Sequence, residues 1–375
     1  MTSASLAPWA ATERPVAGAA PRAGEAIVDR THCGRHVTGL ERITLELFSD
    51  EALAPLSVTG VAAANRREMM LKQTFALPWL AARRPGALVL CPGFPPTPAL
   101  SLFGARVLPY IHDLFLITRP QDLNVRARLY MAPSFRFAVK RLPRFLVNSE
   151  YTRDELRRFC RPDAEIQLYR PQVRNVFALT DATRSTRPGA HEGPRLVALG
   201  TVEPRKNLIA AARIVAALRA QGCAGARLDI VGRAGWGEDA TRLAAMEGVT
   251  LHGYQPVETV RALVDAADAL ISTSHDEGLG LPLIEAQYAG LQVIAPRQRI
   301  FQEALGESGL FVDPEDAHGA ARAILAGLSA PDWRARSAAA ARANLERWNG
   351  QAERDRGAVL DMIARLSVRR SAASC

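Results

Sequence analysis

The sequence has few aromatic residues, few cysteines and no long apolar run. Phe, Trp and Tyr make up 6% of the 375 residues, and no stretch reaches the roughly 18 consecutive apolar residues that indicate a transmembrane helix. The five cysteines form no Cys-x-x-Cys pair, which argues against a disulfide framework and a Cys-rich zinc site. Residues 1–24 lack the basic start and apolar block of a signal peptide, and we interpret them as a loose tail. We therefore expect a soluble, cytoplasmic protein.

The chain is basic, with 47 Lys and Arg residues against 38 Asp and Glu residues. The excess is concentrated in residues 119–144, where seven basic residues accompany a single acid, Asp122. Residues 122–140 are predicted to be helical, with a break near Pro133. Aromatic residues are interleaved with the arginines at Tyr130, Phe135 and Phe137. This pattern is typical of a helix that lies on an anionic membrane surface, although a solvated helix face with core aromatics would look the same.

Short apolar runs alternate with amphipathic helical stretches along almost the whole chain. This alternation predicts parallel sheets with helices on both faces. The predicted strands and helices stop over residues 180–194, which are rich in Thr, Arg, Gly and Pro, and then restart. We therefore predict an α/β protein with two Rossmann-like domains facing across a cleft. The predicted segments are a first domain at 25–180, a linker at 181–194, a second domain at 195–348, and a helix and tail at 349–375 that packs back on the first domain.

Residues 274–285 combine two carboxylates with two glycines directly after a predicted strand. Gly278 and Gly280 allow a sharp turn and the close approach of a ligand to the backbone. Pro282 suits the first turn of a helix, because it lacks only a donor that would be unpaired there. The N–H groups expected to face an anion at this helix start are those of Gly280, Leu281 and Leu283.

The two carboxylates of this segment are expected to face one pocket. Glu277 should lie on the loop, and Glu285 in the first turn of the helix. Two acids beside an anion site are reasonable if they accept hydrogen bonds from hydroxyl groups, and sugar or ribose hydroxyls are the natural donors. The alternative is a capped helix with a solvated Glu285.

Residues 200–207 contain the adjacent cations Arg205 and Lys206, after the predicted strand at 195–199. The helix dipole disfavours cations at a helix start unless an anion is bound there. A diphosphate would be such an anion, with Arg205 binding it in a bidentate manner and Lys206 acting as a point charge. The alternative is a solvated pair of surface cations.

Together the two segments resemble glycosyltransferase family 4, a family of retaining, nucleotide-sugar-dependent enzymes with the GT-B fold. Residues 277–285 match its E-x7-E element, and residues 200–207 match its glycine–Arg-Lys-Asn loop. Further similarities to the family lie at residues 38–42, 111–113, 147–149, 231–236 and 251–254.

The resemblance implies a role for each matching residue. Arg205 and Lys206 would neutralise the donor diphosphate as it leaves, Glu277 would bind hydroxyls of the donor sugar, and Glu285 the ribose. His112 would contact the donor sugar from across the cleft, unless it is a core or capping histidine. The remaining positions implied to bind the donor are Gly39, Thr201, Gly253, Tyr254, Gly278, Leu279, Gly280 and Leu281. The chain departs from the family pattern in having one glycine at 39 instead of two, and Thr201 where many relatives have Arg.

No Asp-x-Asp occurs in the chain, nor any His/Glu spacing typical of a metal site. We therefore predict an enzyme that needs neither metal nor cofactor, with the basic pair at the diphosphate in place of a metal. The nucleotide sugar would be a co-substrate.

The predicted activity is retaining transfer of a hexose from a GDP- or UDP-hexose to a glycan or lipid-linked acceptor. GDP-mannose is the favoured donor, and bacterial surface polysaccharide synthesis the favoured context. The protein would be cytoplasmic, and peripheral on the inner face of the membrane. The alternatives are a GT-B nucleotide-sugar epimerase and a non-catalytic basic binding protein. We expect no nucleic-acid partner, because no nucleic-acid-binding motif accompanies the charge.

Overall fold

The computed structural model describes residues 24–34, 39–123, 125, 127–182 and 193–371. Nearly all of the predicted tail and most of the predicted linker fall outside these residues, as do Thr38 and Arg126. The described residues form two parallel sheets of six strands each, both flanked by helices. The α/β architecture predicted from the alternating pattern is confirmed.

The first sheet has the strand order β2-β1-β3-β4-β5-β6, and every neighbouring pair is parallel. Its central strands are fully buried, as expected where helices cover both faces of a parallel sheet. The strands are β1 (Glu25–Arg30), β2 (Ser57–Ala62), β3 (Leu88–Cys91), β4 (Val107–Ile111), β5 (Arg144–Val147) and β6 (Glu165–Leu168).

The helices of the first domain follow these strands, and most of them bury apolar side chains; the short helices Arg66–Leu71 and Phe115–Thr118 bury none. A helical run at residues 66–83 passes from α2 through a π-helical turn, Lys72–Ala76, into α3. The α-helices are α1 (Gly39–Leu47), α2 (Arg66–Leu71), α3 (Leu77–Arg83), α4 (Pro98–Ser101), α5 (Phe115–Thr118), α6 (Ala132–Arg141) and α7 (Glu150–Arg157).

The second sheet has the order β12-β11-β10-β7-β8-β9 and is also parallel throughout. The chain winds from β7 to one side and then returns to the other, so β7 and β10 flank a topological switch point, where ligands of open α/β sheets bind. The strands are β7 (Arg195–Leu199), β8 (Arg227–Val231), β9 (Val249–Gly253), β10 (Ala269–Ile271), β11 (Gln292–Pro296) and β12 (Gly309–Val312).

The helices of the second domain end in one very long element, α14. The predicted boundary after residue 348 falls inside this helix. The helices are α8 (Leu208–Ala220), α9 (Asp239–Ala244), α10 (Val257–Ala266), α11 (Leu281–Glu285), α12 (Arg299–Leu305), α13 (Ala317–Ser329) and α14 (Trp333–Ser371).

An apolar core continues from the first domain into the second. Phe48 and Tyr169 of the first domain and Trp348 of α14 belong to the same cluster, and all three are 0% exposed. The Trp348 indole donates to the Pro171 carbonyl oxygen at 3.0 Å. Beside it, Arg170 forms an ion pair with Asp355 at 2.7 Å. The two domains are therefore joined through contacts of α14 with the first domain.

The basic stretch at 119–144 differs in part from its prediction. Its helical part consists of a π-helical segment, Ala127–Met131, followed by α6, and Pro133 lies in the first turn of α6. Phe135 is 3% exposed and belongs to the core, whereas Phe137 is 39% exposed. Of the two alternatives, a core aromatic is the correct one for Phe135, which lies on the apolar side of α6. Among the helices of the described residues, none combines the length and the hydrophobicity needed to span a bilayer.

Candidate functional site

The two motif segments meet at the switch point of the second sheet. Arg205 and Lys206 follow β7, and Glu277 follows the adjacent strand β10. Two hydrogen bonds join the loops that follow these strands. The His275 amide donates to the Arg205 carbonyl oxygen at 2.9 Å, and the Thr273 hydroxyl donates to the Asn207 carbonyl oxygen at 2.7 Å. Carboxyl ends of parallel strands share one edge of a sheet, so the fold brings these side chains to one point.

Glu277 is the centre of the cluster. Its carboxylate accepts from Lys206 Nζ at 2.5 Å, from Arg205 Nη1 at 3.1 Å and from the Ser274 hydroxyl at 2.8 Å. Burial alone would raise the pKa of Glu277, but the Lys206 and Arg205 charges outweigh it and hold that pKa below its usual range. The carboxylate is thus ionised at neutral pH and is surrounded by donors.

The sequence suggested that the two cations lie at a helix start, but the structure places them before it. Pro204–Lys206 is a short 3₁₀ turn, and α8 begins only at Leu208, after Asn207 in the left-handed conformation with φ 49°. Asn tolerates this conformation better than most residues. The anion that both cations share is the Glu277 carboxylate.

Arg205 also connects the cluster to the first domain. It donates to Glu203 at 2.8 Å and to the Asp276 carbonyl oxygen at 2.7 Å. Its guanidinium lies 5.1 Å from the centre of the Phe115 ring of α5. Burial by itself would lower the pKa of Arg205, but Glu277 and Glu203 raise it, so this arginine stays charged.

Asn148 bridges the cleft beside the cluster. Its side-chain amide donates to the His112 carbonyl oxygen at 2.8 Å and to the Gly278 carbonyl oxygen at 3.0 Å. An added Cβ at Gly278 would meet the backbone of His112. Only glycine lets the loop after β10 approach the loop after β4 this closely. The predicted glycine at 278 thus serves contact between the domains.

The His112 side chain is neutral and lines a cavity. Its Nε2 lies 2.6 Å from the Pro92 carbonyl oxygen, which can only accept, so Nε2 carries the proton and Nδ1 is an acceptor. Burial lowers the pKa of His112 to about 4, against the smaller opposing effect of the bond to Pro92. The ring packs edge-on against Tyr110 and faces a cavity of about 270 Å³ that Phe115 and Phe94 also line.

Glu285 lies elsewhere in the helix than predicted. It is the fifth and last residue of α11, not a residue of its first turn. Its side chain is 1% exposed and forms an ion pair with Arg42 of α1 in the first domain. Burial raises the pKa of Glu285, and Arg42 partly offsets this. The alternative of a solvated Glu285 is wrong.

Several of the other predicted donor-binding positions can contact a ligand only through their backbone. Leu279 and Leu281 are 5% and 9% exposed and belong to the core, so only their backbone can face a ligand. The Leu283 amide is not free, because it donates to the Gly280 carbonyl oxygen at 2.9 Å. Gly280 and Gly253 adopt positive φ of 75° and 68°.

Three further predicted positions lie around the loops. Gly39 begins α1 with open space where a Cβ would be. Thr201 is exposed after β7. Tyr254 is 72% exposed, and the Arg233 guanidinium lies 4.8 Å from the centre of its ring. The predicted roles of these three residues stay predictions.

Sequence reasoning missed several residues of the site. Arg42 and Asn148 lie in segments that resembled the family, but no pattern shows that they contact the second domain. Asp113 and Asp276 line a small enclosed space of about 50 Å³ next to Glu277. Burial raises the pKa of Asp113 to about 6 and also raises that of Asp276.

In the described part of the chain, no three His, Cys, Asp or Glu side chains are grouped closely enough to hold a metal ion.

Comparison with known proteins finds a family match within the second half of the chain. Residues 193–330 match the family model for group 1 glycosyl transferases. The O-antigen chain mannosyltransferase B of Escherichia coli is 31% identical over 141 residues, which are 36% of this chain and 37% of that protein. The chain thus matches well under half the length of this curated relative.

Solved structures resemble nearly the whole chain. Sucrose-phosphate synthase from Thermosynechococcus elongatus superposes with a TM-score of 0.67 at 18% identity, over 93% of this chain and 100% of that one. The Anabaena protein HepE, solved with UDP and glucose, superposes with a TM-score of 0.60 at 14% identity, over 88% and 98% of the two chains. At such identities the similarity concerns the fold.

The chain therefore has the GT-B fold, and residues 193–330 in its second domain match the group 1 glycosyl transferases. The resemblance inferred from the two motifs is confirmed to this extent. The family 4 number stays a prediction.

Proposed function

We propose that this protein is a retaining glycosyltransferase that moves a hexose from a nucleotide-sugar donor to a glycan or lipid-linked acceptor. The observation that carries the proposal is the cluster of Arg205, Lys206 and Glu277 at the switch point, next to the contact between the His112 and Gly278 backbones. Two cations held by one buried carboxylate are prepared to exchange that carboxylate for a diphosphate. The released carboxylate can then accept hydrogen bonds from the hydroxyls of the donor sugar.

The chemistry follows from these charges. The bond from the sugar C1 to the diphosphate oxygen breaks, and Arg205 and Lys206 stabilise the charge that develops on the leaving phosphate. The acceptor oxygen attacks the same face of C1, and its proton passes to the departing phosphate. No protein nucleophile is needed. His112, neutral with Nδ1 as an acceptor, contributes a hydrogen bond to a sugar hydroxyl. Neither metal nor cofactor takes part.

The donor is proposed to be GDP-mannose or another GDP- or UDP-hexose. The name of the E. coli relative supports mannose and bacterial surface polysaccharide synthesis. The UDP bound to HepE supports a nucleoside diphosphate carrier.

A lipid-linked acceptor is supported by a large groove in the first domain. The groove measures about 1120 Å³, and most of its lining is apolar, with Arg66 and Arg67 among the lining residues. It shares Phe94, Pro95 and Met131 with the cavity beside His112. A hydrocarbon chain in this groove would bring an attached sugar close to the donor.

Peripheral membrane association is supported by the surface next to this groove. Leu71, Phe75 and Trp79 follow each other at four-residue spacing along the helical run 66–83 and are 59%, 66% and 57% exposed. Large exposed apolar side chains with neighbouring cations are typical of helices that lie on a membrane. The protein would then work on the cytoplasmic face of the membrane.

The donor and the reaction can be tested together. Nucleotide sugars that bind should raise the melting temperature of the wild type by mass action, and Lys206→Met should abolish that rise. The wild type should then release the nucleoside diphosphate faster with glycan or lipid-linked acceptor, also in excess EDTA, and the product should keep the anomeric configuration of the donor.

Each other outcome has its own meaning. If no nucleotide sugar raises the melting temperature or is turned over, the glycosyltransferase proposal fails, and a non-catalytic basic binding protein is favoured. Conversion of the donor into an epimer without acceptor would identify an epimerase. Loss of activity in EDTA, restored by Mg²⁺ or Mn²⁺, would contradict metal independence alone.

A further inference from the structure

Glu285 has an arrangement that contacts within its own domain do not explain. Its side chain is 1% exposed. One carboxylate oxygen, Oε1, is bound by the Arg42 guanidinium of the first domain. The other oxygen, Oε2, is buried and has no hydrogen-bond partner among the described residues. Native proteins rarely leave a buried charged oxygen without a donor, so Oε2 marks a position where a donor from outside the chain belongs.

Arg42 is held firmly enough to determine how this carboxylate is oriented. It lies in α1, whose residues Ile43 and Leu47 are buried in the core. Its own side chain is 34% exposed and extends across the cleft to α11. One turn further along α1, Glu46 accepts from the Gln172 amide at 2.7 Å. The helix and its charged side chains are thus fixed to the first domain while Arg42 reaches into the second.

We propose that Arg42 is a positioning residue for donor binding: it holds Oε1 of Glu285 and so presents Oε2 to a hydroxyl group of the donor nucleoside. Donor affinity then depends on a residue of the opposite domain, and the Arg42–Glu285 pair couples donor binding to closure of the cleft. This inference rests on the proposed function and specifies how its donor site is built.

The charged groups that face the pair determine the pH behaviour. Glu46 faces the Arg42–Glu285 pair from α1, and Arg174 lies near Glu46. Burial raises the pKa of Glu285, and the Arg42 charge offsets part of this rise. Without Arg42, Glu285 would take up a proton at a higher pH than in the wild type. A protonated carboxyl is a weaker acceptor than a carboxylate, so the variant should lose donor affinity as the pH falls.

The test measures the dissociation constants of UDP and GDP by calorimetry between pH 6 and pH 8. Between pH 8 and pH 6, the dissociation constant of the preferred nucleotide should rise in Arg42→Ala by a factor about ten times larger than in the wild type. This is the size expected when a charged hydrogen bond is weakened. Arg42→Lys keeps a cation and should restore most of the wild-type profile. In Arg42→Ala/Glu285→Gln, which has no carboxyl to titrate, the added pH dependence should disappear.

A matched control separates positioning from loss of any contact between the domains. Arg299 pairs with Asp154 across the domains at 2.7 Å, with both side chains exposed. Arg299→Ala should leave the pH profile of nucleotide binding unchanged. If Arg42→Ala weakens binding equally at every pH, or if the double variant keeps the added pH dependence, the positioning role is wrong while the proposed function stands. If the wild type binds neither nucleotide at any pH, both are wrong.

Discussion

An ideal Cβ atom on Gly278 would lie 2.7 Å from the carbonyl oxygen of His112. The two residues come from different domains, and the Asn148 amide donates to both of their carbonyl oxygens. The closed cleft therefore requires the absence of a side chain at residue 278. This requirement is steric, because two loops meet backbone to backbone.

Gly278→Ala should open the cleft. The added methyl group cannot be accommodated without moving the His112 backbone, and overpacking of this kind typically costs about 1–3 kcal/mol. We expect a larger radius of gyration in small-angle X-ray scattering and lower turnover. Gly357→Ala is the control, because no atom lies near its added Cβ within α14; it should be neutral or slightly stabilising. Unchanged scattering and turnover in Gly278→Ala would show that closure does not depend on this contact.

Lys206→Met should reduce both turnover and stability. Turnover should fall because about 2–4 kcal/mol of transition-state stabilisation is lost, as when one preorganised charge is removed. Stability should fall because Glu277, 8% exposed, would lose one of its two cations. In Lys206→Met/Glu277→Gln the buried charge is gone, so much of the stability in urea should return while turnover does not. A double variant that regains turnover would contradict the role of Lys206.

Asp113→Asn should stabilise the protein more at high pH than at low pH. Burial raises the pKa of Asp113 to about 6, whereas in the unfolded chain it is about 3.9. The folded state binds this proton more tightly, so Asp113 costs stability as the pH rises from about 4 to about 6, and the full cost persists above that. The Asn variant keeps the acceptor for the Phe115 amide and should gain about 1–3 kcal/mol over the wild type at pH 8.

Urea unfolding at pH 4.5 and pH 8 checks this difference. Asp154→Asn is the control with the opposite sign, because the hydrogen bond from Arg299 holds the pKa of Asp154 below its usual range. That variant should lose stability relative to the wild type by nearly the same amount at pH 4.5 and pH 8, because both lie above the unfolded-state pKa of about 3.9 and the contribution of Asp154 is lost only at lower pH. If Asp113→Asn changes the free energy of unfolding by the same amount at both pH values, the pKa of the Asp113 carboxyl is not raised in the folded protein.

Membrane association should have separable apolar and electrostatic parts. Phe75→Ser/Trp79→Ser should reduce binding to neutral and anionic vesicles alike. The triple variant Arg128→Gln/Arg136→Gln/Lys140→Gln, at exposed positions, should weaken binding only to anionic vesicles, by on the order of 1 kcal/mol for each charge. This part should weaken as salt rises, since screening acts within about 10 Å at 0.1 M salt.

Donor hydrolysis should stay intact in both variants. If the wild type ignores anionic vesicles at low salt, the membrane hypothesis is wrong. Retention on DNA or RNA in competition with vesicles would instead indicate a nucleic-acid partner.

The sequence was sufficient to predict the layout of the sheets. Strand β7 has the bounds, 195–199, that the apolar run predicted. Buried parallel strands are nearly continuous apolar runs, so their signal is local. The bounds of α11 were less predictable, because the helix gives way after Glu285 to a 3₁₀ turn, Ala286–Ala289. Periodicity does not distinguish these two helix types over a few residues.

The sequence by itself also determined which charged side chains stand at the ends of β7 and β10, since motif and strand are contiguous in the chain. Only the tertiary structure decided what those charges contact. Glu277 meets cations 71 and 72 positions away, and Glu285 meets Arg42, 243 positions away. Such pairings follow from how the two sheets and the two domains pack, and no local pattern encodes them. The same packing buried Phe135, exposed Trp79 and made the backbone of His112 the neighbour of Gly278.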